Sequence, residues 1–180
     1  LLGELRTWVE HETPTQDAVR VNALSLHVEG ELRRMGARCT RIPGTGGFGD
    51  HLVSEGPWGG ATGSVVLLCH LDTVHPVGSL AQNPFRIEGD RAYGPGIYDM
   101  KGGAYLACTV LRTLARNPKP WRRKLVLLHS SDEEVGSPTS RPLIERLASG
   151  AHAVLVLEPA RDGGRVVVAR KGVARYVAKV

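Results

Sequence analysis

The stretch Val65-Val66-Leu67-Leu68-Cys69-His70-Leu71-Asp72 decides the fold, because five apolar residues are followed at once by an imidazole and a carboxylate. A continuous apolar run of this length is typical of a strand that is buried on both faces of a parallel sheet. Residues 125–128 and 153–157 form two further runs of the same kind. We therefore expect three buried strands that lie side by side.

Helical patterns separate these runs and complete an alternating β-α-β-α-β order. Apolar residues recur at helical spacing over residues 16–35, 104–114 and 139–147. Short strands are expected at residues 39–42 and 51–54, and a hairpin at residues 85–88 and 91–93. This order predicts an α/β fold, a three-layer sandwich in which helices flank a mostly parallel central sheet.

Composition limits the classes of function. The chain has 180 residues, 42% hydrophobic and 23% charged, with a net charge of +5 that is scattered along it. These values predict one soluble domain without a nucleic-acid or membrane partner, and we expect a cytoplasmic location. Three widely spaced cysteines without a C-x-x-C pair predict buried free thiols.

Metal-binding side chains follow each buried run. The sequence places His70 and Asp72 after the first run, Glu133 and Glu134 after the second, and Glu158 after the third. A further carboxylate, Asp99, follows the Gly-Pro-Gly turn at residues 94–96. Ligands of open α/β sheets bind beyond the carboxyl ends of the strands. Because carboxylates crowded at one edge repel one another unless a cation neutralises them, the pattern predicts a metal site.

For the pair of His70 and Asp72, and for Asp99, a purely structural role is the alternative to metal binding. In an extended chain, residues i and i+2 point the same way, so the Asp72 carboxylate could reach the second nitrogen of His70 and orient it as a ligand. The alternative is a hydrogen-bonded pair that only stabilises the end of the strand. Asp99 could equally cap the helix that follows it, although the glycines on both sides allow the backbone to approach an ion or a substrate.

The acidic run at residues 132–134 and Glu158 are also open to two interpretations. Such a run is commonly a solvated loop, and Glu158 could cap a turn. A metal-assisted hydrolase, however, needs one carboxylate on the ion and another that takes a proton from water. Adjacent residues can supply both, but spacing alone does not separate the role of Glu133 from that of Glu134.

Four segments, taken in order, resemble the motifs of the co-catalytic zinc peptidase and deacylase family. They are residues 70–74, 85–103, 132–137 and 157–159. The family includes glutamate carboxypeptidase, acetylornithine deacetylase, succinyl-diaminopimelate desuccinylase and the aminoacylases. Residues 93–99, which read Tyr-Gly-Pro-Gly-Ile-Tyr-Asp, most resemble glutamate carboxypeptidase.

The resemblance implies a role for each candidate residue and a site for two zinc ions, with Co²⁺ or Mn²⁺ as substitutes. Asp99 would bridge the two ions, and His70 and Glu158 would complete one of them. Glu134 would bind the other ion, Glu133 would be the general base, and Asp72 would orient His70. In the family, the second ion takes a further histidine from far downstream.

The resemblance also implies an activity and a domain organisation. The expected reaction is hydrolysis of an amide bond in a small peptide or an N-acyl amino acid, which releases a carboxy-terminal, glutamate-like residue or an acyl group. Residues 1–172 would be the amino-terminal part of the catalytic domain, and residues 173–180 the first strand towards an absent lid and dimerisation domain. We expect a fragment that is inactive alone and a full-length homodimer. The alternative is a non-catalytic metal-binding fragment or homologue.

Overall fold

The computed structural model describes residues 1–57, 59–60, 62–117, 121–172 and 176–179. The helices are α1 (Leu2–Glu10), α2 (Ala18–Arg34), α3 (Ser79–Gln82), α4 (Gly102–Arg116) and α5 (Arg141–Ser149). The strands are β1 (Arg38–Ile42), β2 (His51–Glu55), β3 (Ser64–His70), β4 (Arg86–Glu88), β5 (Arg91–Tyr93), β6 (Lys124–Ser130) and β7 (Ala151–Val156).

The main sheet has the strand order β1-β2-β6-β3-β7, and β4 and β5 form a separate hairpin. Strand β3 pairs in parallel with β6 on one side and with β7 on the other. Strand β2 is antiparallel to both β1 and β6, so the other four strands all run in one direction. The loop between β1 and β2 is too short for a crossover, which accounts for their antiparallel pairing. The predicted mostly parallel sheet is confirmed, with β2 as its exception.

Alternate residues of β3 and β6 face two helical layers. On one face, Leu67 and Leu127 belong to a core that includes buried residues of α1, α2 and α4. On the other face, Val66 and Val126 pack in a smaller core with Leu143 of α5. Both faces of the central strands are therefore covered, as the continuous apolar runs predicted, and the fold has three layers.

Two helices were not predicted from the sequence, the short α3 and the amino-terminal α1. In α1 the buried residues are Trp8 and Val9, a stripe too short for a periodic signal. The Trp8 side chain is fully buried and contacts Tyr105 of α4 edge-on, with ring centroids 5.6 Å apart. Helix α1 is thus held by one large aromatic residue and by Glu4, whose carboxylate accepts hydrogen bonds from Tyr105 and Arg112 of α4, rather than by a long apolar face.

The predictions for the cysteines and for the last residues of the chain have different outcomes. Cys39, Cys69 and Cys108 are buried free thiols, as predicted. In the described part of the chain, no helix has the length and apolar character needed to cross a membrane. Of the predicted strand at residues 173–180, positions 176–179 carry no strand assignment and the remainder lies outside the described residues. The domain boundary at residue 172 stays a prediction.

We predict that Trp8→Ala lowers the free energy of unfolding by about 3–5 kcal/mol, because it leaves a cavity at the contact between α1 and α4. Urea denaturation followed by circular dichroism measures the change. Trp121→Ala is the matched control, since Trp121 is 37% exposed, and it should change stability by less than about 1 kcal/mol. A loss equally small for Trp8→Ala would show that α1 contributes little to the fold.

Candidate metal centre

The carboxyl ends of three adjacent parallel strands build the site. His70 is the last residue of β3, and Glu133 and Glu134 lie in a short 3-10 turn after β6. Glu158 follows β7 by two residues. Because β3 lies between β6 and β7, these groups reach the same edge of the sheet. Asp99 comes to this edge from the irregular turn Ile97–Lys101, which leads into α4.

Three carboxylates surround one nitrogen of His70. The Nε2 atom lies 3.0 Å from Oδ1 of Asp99, 3.4 Å from Oε1 of Glu158 and 3.8 Å from Oε2 of Glu133. The donor atoms form two groups, and both groups include His70. Within each group all the donor atoms lie within 4.8 Å of one another. The first group adds Asp99 and Glu134, and the second adds Glu133 and Glu158. All the predicted ligands therefore converge around one imidazole.

The second nitrogen of His70 is already engaged. Nδ1 lies 2.9 Å from the backbone carbonyl oxygen of Asp72 and 3.4 Å from the carboxylate oxygen Oδ1 of the same residue. The sequence predicted the carboxylate contact, but the carbonyl contact is the shorter of the two. When Nδ1 carries the proton and donates it in a hydrogen bond to Asp72, the lone pair of Nε2 is free to bind a metal ion.

The Asp72 carboxylate also fixes the turn that carries the two glutamates. Its Oδ1 accepts a hydrogen bond from the backbone N–H of Glu133, and its Oδ2 accepts one from the N–H of Glu134, both at 3.2 Å. The hydroxyl of Thr15 donates to Oδ2 at 2.8 Å. No sequence pattern indicated these contacts, because the partners are 57 to 62 residues apart along the chain.

The crowding of carboxylates changes their proton affinity. Burial raises the pKa of Glu134 to about 7, and the negative charges of Asp99, Asp72 and Glu133 add to this rise against the opposing effect of His70. Burial also raises the pKa of Glu133, assisted by the charges of Glu158, Asp72 and Asp99. A bound cation would favour the ionised form of both side chains. The donor set therefore fits a metal ion.

The pKa of His70 is also raised, but in an imidazole a raised pKa favours the charged form, whereas in a carboxyl group it favours the neutral form. Burial alone would lower its pKa, but hydrogen bonds with Asp72 and Glu158 and the charges of Asp72 and Glu133 outweigh burial and raise the pKa to about 11. The carboxylates thus favour a positive charge at this place, which a divalent cation would supply.

Asp132, the first residue of the acidic run, holds the chain rather than an ion. Its carboxylate accepts hydrogen bonds from the backbone N–H and hydroxyl groups of both Thr139 and Ser140, at 2.6 to 3.1 Å. The ring of His51 is buried between Thr139 and Ser131, with its nitrogens 3.0 Å and 3.2 Å from their hydroxyl oxygens. These contacts turn the chain from β6 into α5 and keep the glutamate turn at the sheet edge.

The glycines around Asp99 lie in close contact with neighbouring segments of the protein. A Cβ atom on Gly96, whose φ is +67°, would lie 2.5 Å from Cγ2 of Thr73, and one on Gly103 would overlap the carbonyl oxygen of Leu157. That these glycines also let the backbone approach an ion or a substrate stays a prediction. These glycines allow the Asp99 turn and α4 to pack tightly against the ends of β3 and β7.

A cleft of about 1160 Å³ opens beside the site. Asp99, Glu133 and Glu158 line one part of it, and apolar side chains such as Leu106 and Leu155 line another. An apolar cleft with a few converging charged groups is the usual form of a small-molecule site.

Comparison with known proteins gives a consistent result. The sequence profile of Peptidase family M20/M25/M40 matches residues 66–172. Carboxypeptidase G2 of Pseudomonas sp. (strain RS-16) is 38% identical over 164 residues, which cover 91% of this chain and 39% of that protein. Succinyl-diaminopimelate desuccinylase of Gluconobacter oxydans (strain 621H) is 43% identical over 83 residues, 44% of this chain and 21% of that protein.

Solved structures share the fold at low sequence identity. The M20 family metallo-carboxypeptidase Sso-CP2 from Sulfolobus solfataricus superposes with a TM-score of 0.71 at 20% identity, over 91% of this chain and 38% of its own. Human carnosine dipeptidase 1 superposes with a TM-score of 0.74 at 19% identity, over 88% of this chain and 38% of its own. The chain therefore spans about two fifths of the length of these proteins.

We predict that Asp72→Asn weakens zinc binding by roughly 10 to 100 fold, which is the usual effect of losing a carboxylate that supports a ligand. Binding should persist, because the backbone carbonyl of Asp72 still contacts His70. Isothermal titration calorimetry measures the affinity. Asp90→Asn, the same charge change in the β4–β5 turn, is the matched control, and equal zinc affinity in both variants would contradict the supporting role of Asp72.

Proposed function

Since this chain belongs to Peptidase family M20/M25/M40, we propose that it forms the amino-terminal part of the catalytic domain of a zinc-dependent amidohydrolase. The substrate is a small peptide or an N-acyl amino acid, from which the enzyme releases a carboxy-terminal, glutamate-like residue or an acyl group. The observation that carries the proposal is the convergence of Asp99, Glu133 and Glu158 within 3.8 Å of one imidazole nitrogen.

The donor set supports zinc as the metal, with Co²⁺ or Mn²⁺ as substitutes. One imidazole nitrogen with carboxylate oxygens suits zinc in a catalytic site, where three protein ligands leave a position open. When bound, zinc polarises the scissile carbonyl and promotes attack by water. On the family pattern, His70, Asp99 and Glu158 hold one ion and Glu134 contributes to a second.

The chain's own residues supply the proton transfers. Glu133 takes a proton from the attacking water and returns it to the leaving amine. Its side chain is 48% exposed, so it can reach both water and substrate, and its raised pKa brings it closer to the working pH of a general base. Asp72 holds the backbone of Glu133 in place and keeps the proton on Nδ1 of His70.

The two relatives support the breadth of the proposed substrate class. One is named as a carboxypeptidase and the other as a desuccinylase, which correspond to release of a terminal residue and removal of an acyl group. The net charge of +5 is compatible with an acidic leaving residue. We further propose that the complete protein is cytoplasmic and dimerises through a lid domain downstream of residue 172.

We predict that Glu133→Ala in the complete gene product retains zinc and loses hydrolysis by several orders of magnitude, because the proton transfer is removed while the ligands stay. Glu134→Ala is the paired comparison, and it should lose metal. Elemental analysis and turnover of N-acyl glutamate, measured on the same samples, give the result. The opposite pattern would exchange the roles of the two glutamates.

Ligand geometry limits how many ions this chain can hold. Because Nδ1 of His70 bonds to Asp72, only Nε2 is available, and an imidazole nitrogen binds one ion at a time. Among the described residues of the centre, a second ion would have carboxylates alone, which suit zinc less well than a mixed set that includes imidazole.

We therefore predict that the 180-residue chain binds close to one zinc ion and has no peptidase or deacylase turnover. Calorimetric titration with elemental analysis gives the stoichiometry, and an amino-acid release assay gives the activity. Two tight sites with measurable hydrolysis would contradict both the ligand assignment and the need for downstream residues. A complete gene product that holds zinc but hydrolyses neither peptides nor N-acyl amino acids would favour the non-catalytic alternative.

A further inference from the structure

Residues 11–15, in the segment between α1 and α2, lie against the chain that leaves β3. We call these residues the strap. Thr73 donates its N–H to the carbonyl of Thr13 at 2.8 Å, and Thr15 donates its N–H to the carbonyl of Thr73 at 3.2 Å. The Thr13 hydroxyl donates to the carbonyl of Leu71 at 2.7 Å. The strap thus pairs with residues 71–73, immediately after His70.

The strap is anchored on both sides of this pairing. Its His11 carbonyl accepts a hydrogen bond at 2.5 Å from Nζ of Lys101, which is 1% exposed and lies two residues after Asp99. Its Glu12 carboxylate accepts hydrogen bonds at 2.9 Å from the N–H groups of Gly78 and Leu80. The strap therefore links the turn that carries Asp99 to the loop that follows Asp72.

One side chain of the strap reaches the site itself. The Thr15 hydroxyl donates to Oδ2 of Asp72 at 2.8 Å, the shortest hydrogen bond to that carboxylate. Both residues are buried, Thr15 at 5% and Asp72 at 0% exposure. The same carboxylate orients Glu133 and Glu134, so a rotation of Asp72 would move several groups of the centre at once.

We infer that Thr15 is a positioning residue of the metal centre, which acts by fixing the rotation of the Asp72 carboxylate through its hydroxyl. This inference rests on the proposed zinc function. It assigns a role in metal binding to a residue that lies outside the ligand set and 55 residues before His70 in the numbering of the chain. Removal of the hydroxyl leaves a buried carboxylate short of one donor, so that its orientation is less well defined.

The test compares zinc affinity among variants of the 180-residue chain at a temperature where all are folded. Thr15→Val keeps the size of the side chain and removes the hydroxyl, and it should weaken zinc binding about tenfold, the lower end of the effect of losing a support to a ligand. Thr15→Ser keeps the hydroxyl and should bind within about threefold of the wild type. Thr15→Ala replaces Thr15→Val if the valine variant does not fold.

Two controls separate positioning from packing. Thr13→Val removes another buried hydroxyl of the strap that does not touch Asp72, so it should lower thermal stability while zinc affinity stays within about threefold of the wild type. In an Asp72→Asn background, Thr15→Val should have little further effect, because the two residues act through one contact. The absorption spectrum of the Co²⁺-loaded chain should change with Thr15→Val and not with Thr13→Val.

Each alternative result has a definite meaning. Equal affinity of Thr15→Val and wild type, an equal loss in Thr13→Val, or a full further loss in the Asp72→Asn background would overturn the inference and leave the zinc function intact. Failure of the wild-type chain to bind zinc would overturn the proposed function and the inference together.

Discussion

The buried carboxylate of Asp72 is the interaction on which the metal centre depends. It accepts hydrogen bonds from Thr15, from the backbone of Glu133 and from the backbone of Glu134, and it lies 3.4 Å from the ring of His70. A buried charge is tolerated when several donors satisfy it. Two segments that are distant along the chain, one at Thr15 and one at Glu133 and Glu134, are thereby held to the end of β3 by one side chain. The candidate ligands keep their positions although their own charges repel one another.

The parallel sheet determines which residues reach the site. Parallel pairing of β3 with β6 sets Cys69 opposite His129 and His70 opposite Ser130, so the chains leave both strands at the same level. Parallel pairing with β7 brings the third chain to the same edge. Helices α4 and α5 lie in the connections between these parallel strands. Residues 70, 133 and 158 therefore meet at the same edge of the sheet although they are far apart along the chain.

The sequence predicts what is local and periodic, and misses what is formed between distant segments. The apolar runs at residues 65–69, 125–128 and 153–157 predicted the places of β3, β6 and β7. Burial on both faces, which such runs indicate, holds for β3 and β6. For β7 it is wrong, because β7 is an edge strand in which Val154, Leu155 and Val156 are 37% to 54% exposed. Helix α1 was not predicted because it buries Trp8 and Val9, which are too few for a periodic signal. The candidate ligands were recognisable from their place at strand ends. Thr15 and the carbonyl contact of His70 were not, because hydroxyl and backbone groups have no pattern of their own.

His70 is shared between two groups of carboxylates. Because Asp72 engages its Nδ1 atom, one imidazole nitrogen remains for a metal ion, and under the proposed function the remaining carboxylates would contribute to a second ion. Burial, together with the negative charges of the neighbouring carboxylates, raises the pKa values of Glu133 and Glu134, and a bound cation would lower them again. A further nitrogen donor, which the family pattern draws from downstream, would complete the second position. The strand ends and the Asp99 turn therefore gather four carboxylates around one imidazole. The buried hydrogen bonds of Asp72 hold the turn that carries two of them, Glu133 and Glu134, in place.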